Sequence, residues 1–241
     1  MSGHSKWNNI KHKKEKADAA KAKIFTKIGK EMAVAIKAGG PDPNNNSKLR
    51  DLIAKAKANN VPNDNIQRTI KKFTDNGDIN FEEIVYEGYG PSGVAIIVET
   101  QTDNRNRTAG NVRAAFSKYG GNLGQNGCVG YLFEQKGVIT IVDEDEEIDE
   151  DKIMEDALEA GAEDIKCDEG EYTIYTASED LDTVRDAIIA LGYQINTADL
   201  AKVPSTYVEL TSEEDIANME KMLDKFNEDD DVNAVYHNWD A

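Results

Sequence analysis

The chain is poor in the residues that most often do chemistry. Three histidines, two cysteines and two tryptophans are spread over 241 residues. Cys128 and Cys167 stand far apart, which excludes the disulfide framework of a small secreted domain and points to a reducing compartment. His4, His12 and His237 show no metal-site spacing with either cysteine. P-loop, serine-elbow and HExxH patterns are missing as well. The expectation is a protein that is not an enzyme, with no metal, no cofactor and no small-molecule substrate. Apolar runs such as Val94 to Val98 are far too short to span a bilayer. The opening MSGHSKW lacks a signal-peptide core, and the first arginine is Arg50, unlike an Arg-rich transit peptide. A cytoplasmic protein without a membrane partner is expected.

Positive charge is also scarce: 28 Lys+Arg stand against 46 Asp+Glu, a formal net charge of −18. Taken alone, that argues against a polyanionic partner, because phosphate binders need Lys and Arg. The scarcity is not uniform. Residues 1–80 carry 17 basic and 8 acidic side chains, net +9, whereas residues 81–241 carry 11 and 38, net −27. A basic head joined to an acidic body points to nucleic acid or to an acidic partner. Within the body, residues 136–204 reach −16 and residues 205–241 reach −9, against only −2 for residues 81–135. The acidic runs 143–147 and 229–231 read as solvated loops. A calcium loop needs a glycine at its sixth position, and the 143–151 run has none.

Apolar spacing divides the chain. In the head, Ile24, Ile28, Met32 and Ala35–Ile36 recur at helical spacing until Gly39-Gly40-Pro41-Asp42-Pro43 stops them. Ser47 is placed to cap a second helix with Leu49, Leu52, Ile53 and Ala56. A third carries Ile66, Ile70 and Phe73. Three amphipathic helices suffice for a small bundle.

In the body the period shortens. Residues 137–200 read β-α-β-β-α-β, a complete ferredoxin-like unit. It is preceded by strands at Phe81–Tyr89 and Val94–Thr102, a helix at Asn106–Tyr119 and a strand at Cys128–Glu134. It is followed by a strand at Thr206–Leu210, a helix capped by Thr211 with Glu214, and a strand at Val232–His237. The β-α-β on each side is half a unit, and the two halves joined make a second one. The expected fold class is therefore α+β and multidomain: a three-helix head plus two ferredoxin-like α+β domains, one inserted into the other. The boundaries are 1–80 for the basic head, 81–135 with 205–241 for the discontinuous domain, and 136–204 for the acidic insert.

The head carries the main functional signal. His4, Lys6, Trp7, Lys11, His12, Lys13, Lys14, Lys16, Lys23, Lys27 and Lys30 lie within the first 30 residues, where only Glu15 and Asp18 are acidic. Lysines suit phosphates as mobile point charges, and Trp7 offers a stacking surface for an unpaired base. On the third helix, Arg68, Lys71 and Lys72 extend the basic face and are placed to meet phosphates or base edges. In the body, Asn104, Arg105 and Arg107 sit where a strand meets a helix start, which suits either a phosphate or partner loop, or a capped helix with Arg–carboxylate pairs. Gly88-Tyr89-Gly90-Pro91-Ser92-Gly93 matches G-x-G-x-x-G but leads into a strand, so it reads as a turn between strands and not as a dinucleotide site.

Four segments together resemble one family. GHSKWNNIKHKK with IFTKIGKE, NNVPNDNIQRTIKK (59–72), YEGYGPSGVAIIVETQTDNRNRT (86–108) and GGNLGQNGCVGYLFEQKG (120–137) are similar to the YebC/PmpR family, which includes the mitochondrial translational activator of cytochrome oxidase. The resemblance covers nearly the whole chain. It implies a three-domain cytoplasmic protein with a non-enzymatic role in gene expression. Two roles are implied: a DNA-binding transcriptional regulator, or a ribosome-associated translation factor that binds ribosomal RNA and relieves stalling at proline-rich stretches. The partner expected is nucleic acid, either DNA or ribosomal RNA, with the ribosome as a further partner under the second role.

Overall fold

The computed structural model describes residues 25–75, 81–143, 148–168 and 170–240. The chain divides into two compact units. One runs to Asn126 and takes up Leu210–Val235; the other holds Gly127–Glu209 and the residues from Tyr236 on.

The first unit begins with helices. Residues 25–39 (α1), Ser47–Ala58 (α2) and Asn63–Asp75 (α3) are helical. Ile28, Met32, Ala35, Ile36, Leu49, Leu52, Ala56 and Ile66 form their shared core, with Ile53, Ile70 and Phe73 packed against it. These are the positions that the 3.6-residue spacing picks out. The cap of α2 differs from expectation: Asn46, not Ser47, holds that place. Its Oδ1 accepts the Leu49 N–H at 3.1 Å, and its Nδ2 donates to the carbonyls of Ala35 and Gly40, each at 2.8 Å. An amide can accept and donate twice at once, so one buried side chain caps α2 and ties it to the end of α1.

The same unit continues with β1 (Glu82–Tyr89), a 3₁₀ turn at Pro91–Gly93, β2 (Ala95–Thr102), α4 (Arg105–Lys118) and β3 (Asn122–Leu123). The G-x-G-x-x-G segment is thus a turn between two strands, as its sequence context required. The second unit holds a 3₁₀ turn at Gly130–Leu132, then β4 (Phe133–Val142), α5 (Glu150–Glu159), β5 (Asp164–Asp168), β6 (Glu171–Ala177), α6 (Leu181–Ala190), β7 (Thr197–Pro204) and β8 (Val208–Glu209). α7 (Glu213–Glu228) and β9 (Val232–His237) return to the first sheet, and β10 (Trp239–Asp240) pairs in parallel with β8.

The two four-stranded sheets share one layout. In the order β5-β6-β4-β7, the strands β4 and β5 on either side of a helix are split by β6, and β7 closes the far side of β4. In the order β3-β1-β2-β9, β2 and β3 are split by β1, and β9 closes the far side of β2. Only the source of the splitting strand differs. β6 follows β5 as a hairpin, whereas β1 precedes β2 as a hairpin in register from Glu82↔Thr102 to Tyr89↔Ala95.

This layout corrects two expected strands. Residues 128–132 are not extended: Gly130–Leu132 is a 3₁₀ turn, and the chain enters β4 only at Phe133. The expected strand at 206–210 shrinks to Val208–Glu209 and joins the separate two-stranded sheet. β1 supplies the missing strand instead. α7, the helix after β8, is capped by Ser212, whose hydroxyl accepts from the Asp215 N–H, one residue later than the predicted Thr211–Glu214 box.

Close approach explains two glycines. A Cβ at Gly88 would lie 2.6 Å from the Asn122 carbonyl oxygen and 2.9 Å from the Phe116 ring; one at Gly121 would lie 2.6 Å from the Tyr89 carbonyl oxygen. β3 can pair with β1 only because both are glycine. Above the sheet, α4 buries Val112, Ala115 and Phe116, and α7 buries Met219, Met222 and Phe226; the two phenylalanine rings meet at 5.3 Å. The core of the second unit is Ile139, Ile141, Ile153, Ala157, Ile165, Tyr172, Ile174, Val184 and Ile188.

Candidate nucleic-acid interface

His4, Lys6, Trp7, Lys11, His12, Lys13, Lys14, Lys16 and Lys23 lie outside the described residues. The other predicted contacts divide into three groups.

α3 presents the first. Ile66 is buried and Ile70 and Phe73 pack on the head core, which turns Arg68, Lys71 and Lys72 outward, all exposed. At 100° per residue these three cations cover one outward face, bounded by Asp64 and Asp75 at the helix ends. Lys72 Nζ stands 5.5 Å from the Phe73 ring. On α2, Lys48, Arg50, Lys55 and Lys57 are also exposed.

Lys27 and Lys30 form the second group, and both have partners inside the protein. Lys27 Nζ donates to the Asn233 carbonyl at 3.3 Å. Lys30 Nζ donates to the Asp230 carbonyl at 2.7 Å and the Gln101 carbonyl at 3.3 Å, and pairs with Asp231 Oδ1 at 2.7 Å. An ammonium has three hydrogens to donate, and Lys30 spends them inside the protein. The side of α1 that bears Lys27 and Lys30 therefore packs against the ends of β2 and β9.

The third group is the segment at the start of α4. Asn104 caps the helix by accepting the Arg107 N–H at 3.1 Å. Arg107 donates to Asp231 Oδ2 through Nη2 at 2.6 Å and Nε at 3.2 Å, and to Asp103 at 2.9 Å. For Arg107 the structure favours the carboxylate-pair reading. Arg105 remains exposed on the opposite flank of the helix.

Asp231 is the residue that sequence reasoning missed. It closes a run read as a solvated loop, yet it is only 4% exposed. Its carboxylate takes Lys30 on one oxygen and, on the other, Arg107, the Thr108 hydroxyl at 2.9 Å and the Thr102 hydroxyl at 3.2 Å. Burial alone would raise its pKa; the hydrogen bonds from Lys30, Arg107 and Thr108 outweigh that and bring it down to about 2. Its neighbours in sequence behave differently. Asp229 takes the Asn111 amide, and Asp230 is exposed and offers its carbonyl to Lys30. The missed signal is not in the run itself. It lies in two hydroxyl residues, Thr102 and Thr108, that bracket the arginine and have no reason to be buried without an acceptor.

Beside this hub, α4 and the end of α7 enclose a cleft of about 490 Å³, lined by Arg107, Asn111, Lys118, Lys225, Phe226 and Glu228 among others. Among the described residues, no group of His, Cys, Asp and Glu is arranged to hold a metal ion. No described helix is long and apolar enough to cross a membrane.

Comparison with known proteins agrees along the whole chain. Residues 5–76 match the family described as the TACO1/YebC protein N-terminal domain, and residues 81–239 match the TACO1/YebC second and third domain. A "probable transcriptional regulatory protein" of Agathobacter rectalis is 56% identical over 241 residues, all of both chains. Another so named, from Lachnoclostridium phytofermentans, is 54% identical over the same full lengths. The crystal structure of a conserved hypothetical protein from Aquifex aeolicus superposes with a TM-score of 0.82 at 43% identity, covering 92% of this chain and 91% of that one. With both family descriptions matched end to end, this chain belongs to the TACO1/YebC family.

Proposed function

We propose that this protein is a non-enzymatic regulator of gene expression that binds nucleic acid through its basic head, as a DNA-binding transcriptional regulator. The observation that carries the reading is the outward face of α3, where Arg68, Lys71 and Lys72 are exposed within a head of net +9. Clustered cations of this kind neutralise phosphates and release counterions, which gives affinity without sequence readout. The names of full-length relatives, probable transcriptional regulatory proteins, support the regulatory role. The head comprises residues 1–80, and its first 23 residues add seven lysines to its charge. The acidic body, net −27 overall, disfavours phosphate over most of its surface.

A second reading has its own support. A body of that charge limits how much of a long duplex the protein can follow, which favours a compact RNA target on the ribosome. One experiment separates the two: co-sedimentation of the full-length protein with ribosomes, competed by promoter DNA. Release from ribosomes by specific DNA supports the transcriptional role, and indifference to it supports the translational one. If the protein neither co-sediments with ribosomes nor binds DNA, the nucleic-acid reading fails.

A further inference from the structure

The body is acidic at nearly one residue in four, with 38 Asp+Glu in residues 81–241, yet residues 104–133 contain none. Thirty consecutive residues at that density would hold about seven. The gap includes all of α4, and all four cations of residues 81–135 lie on that one helix: Arg105, Arg107, Arg113 and Lys118.

Their arrangement is regular. Thr108, Val112, Ala115 and Phe116 face the sheet. On the opposite side, Asn106, Gly110, Ala114 and Ser117 follow one another at three- and four-residue steps, all exposed. A Cβ at Gly110 would meet nothing within 4 Å. At 100° per residue, Arg113 borders this row of short side chains on one flank, and Arg107 and Lys118 border it on the other; Arg105, exposed in the first turn, lies further round beyond Arg113. Arg107 is already committed to Asp231 and Asp103. Arg105 and Arg113 are exposed, and among the described residues no carboxylate forms an ion pair with either. Beneath their flank lies Tyr86 of β1, on the sheet face that carries Gly88 and so faces α4. Its hydroxyl oxygen is buried, with no hydrogen-bond partner among the described residues.

We propose that the outward face of α4 is a second nucleic-acid contact, on which a phosphodiester backbone lies along Asn106, Gly110, Ala114 and Ser117 between the cations of the two flanks. Charge complementarity selects this occupant. An acidic body has no structural need for a long acid-free stretch, and short side chains between arginines let a sugar–phosphate chain approach closely where bulky ones would hold it off. The proposal rests on the reading that the protein binds nucleic acid, but not on the head being the site.

The test uses the full-length protein and measures its affinity for a 20-nucleotide single-stranded RNA, and for a duplex DNA of the same length, across salt concentrations. The double variant Arg105→Ala, Arg113→Ala is expected to lower the log–log salt slope by about 1.4 on RNA or about 1.8 on duplex DNA, two phosphates' worth. Arg105→Lys with Arg113→Lys keeps the charge and is expected to keep the slope. Lys221→Ala, an exposed cation of α7, is expected to leave it unchanged. A slope unaltered in the alanine double variant overturns the proposal, as does an equal fall with Lys221→Ala. The head is scored separately with Arg68→Ala, Lys71→Ala, Lys72→Ala. If that triple variant alone lowers the slope, the head reading stands and the α4 proposal falls. If only the α4 variant does, the reverse holds. Wild-type binding that ignores salt overturns both.

Discussion

Lys30 Nζ and Asp231 Oδ1 meet at 2.7 Å across 201 positions of sequence, with side chains only 12% and 6% exposed. The pair fastens the helical head to the corner between α7 and β9. Its carboxylate also receives Arg107, Thr102 and Thr108, so side chains of α1, β2 and α4 converge on one acid. Removing that acid leaves a buried ammonium and two buried hydroxyls short of their acceptor. Asp231→Asn should lower stability by about 3 kcal/mol, the range for breaking one side of a buried pair. Urea denaturation would read this as a lower midpoint at constant slope. An unchanged midpoint would mean that the hub is incidental.

The same carboxylate sets a pH dependence. Its pKa in the fold, about 2, lies below its unfolded value of 3.8. The group therefore binds fewer protons folded than unfolded near pH 3. Its stabilisation is fully present above the unfolded value and is lost as pH falls through about 2. The difference corresponds to about 2 kcal/mol. The stability gap between wild type and Asp231→Asn should thus narrow progressively from pH 4 down to pH 2. A gap that stays constant over that range would contradict the assignment.

Gly88 tests the sheet. Gly88→Ala drives a methyl group into the Asn122 carbonyl and the Phe116 ring, both too close for any Cβ. Detachment of β3 from β1 should cost about 1–3 kcal/mol, the usual range for overpacking. Hydrogen exchange should show faster exchange of the Leu123 and Gly124 amides and little change in the second unit. Uniform loss of protection, or none, would not fit.

Phe116 and Phe226 test the packing of α4 on α7. Either residue changed to alanine should cost about 3–5 kcal/mol. Their rings touch, so the double variant should cost less than the sum, by about 1 kcal/mol. Strict additivity would mean that each ring packs independently of the other.

Much of this was legible in the sequence, and the failures have physical causes. The head helices and the 137–200 unit were readable because their apolar positions keep a strict period and their turns carry glycine and proline. The discontinuous sheet was only half readable. Hairpin pairing of β1 with β2 is a local event, but which strand fills the slot between β2 and β3 is decided by long-range packing, and Gly88 with Gly121 decides it in favour of β1. Charge was legible as a sum and not as a position. Lys30 and Lys71 look alike in sequence, yet one is spent on Asp231 and two carbonyls while the other faces out. Asp231 itself looked like its two neighbours in an acidic run.

The most direct measurement follows from that contrast: the salt dependence of nucleic-acid binding by the full-length protein, compared between Lys30→Met and the triple variant Arg68→Ala, Lys71→Ala, Lys72→Ala. The wild type should bind with affinity falling linearly in log–log form as salt rises. The triple variant should lose about 2.7 from that slope on duplex DNA, or about 2.1 on single strands. Lys30→Met, though less stable, should keep the wild-type slope at a temperature where it is folded. A triple variant with an unaltered slope, or wild-type binding indifferent to salt, would contradict the account.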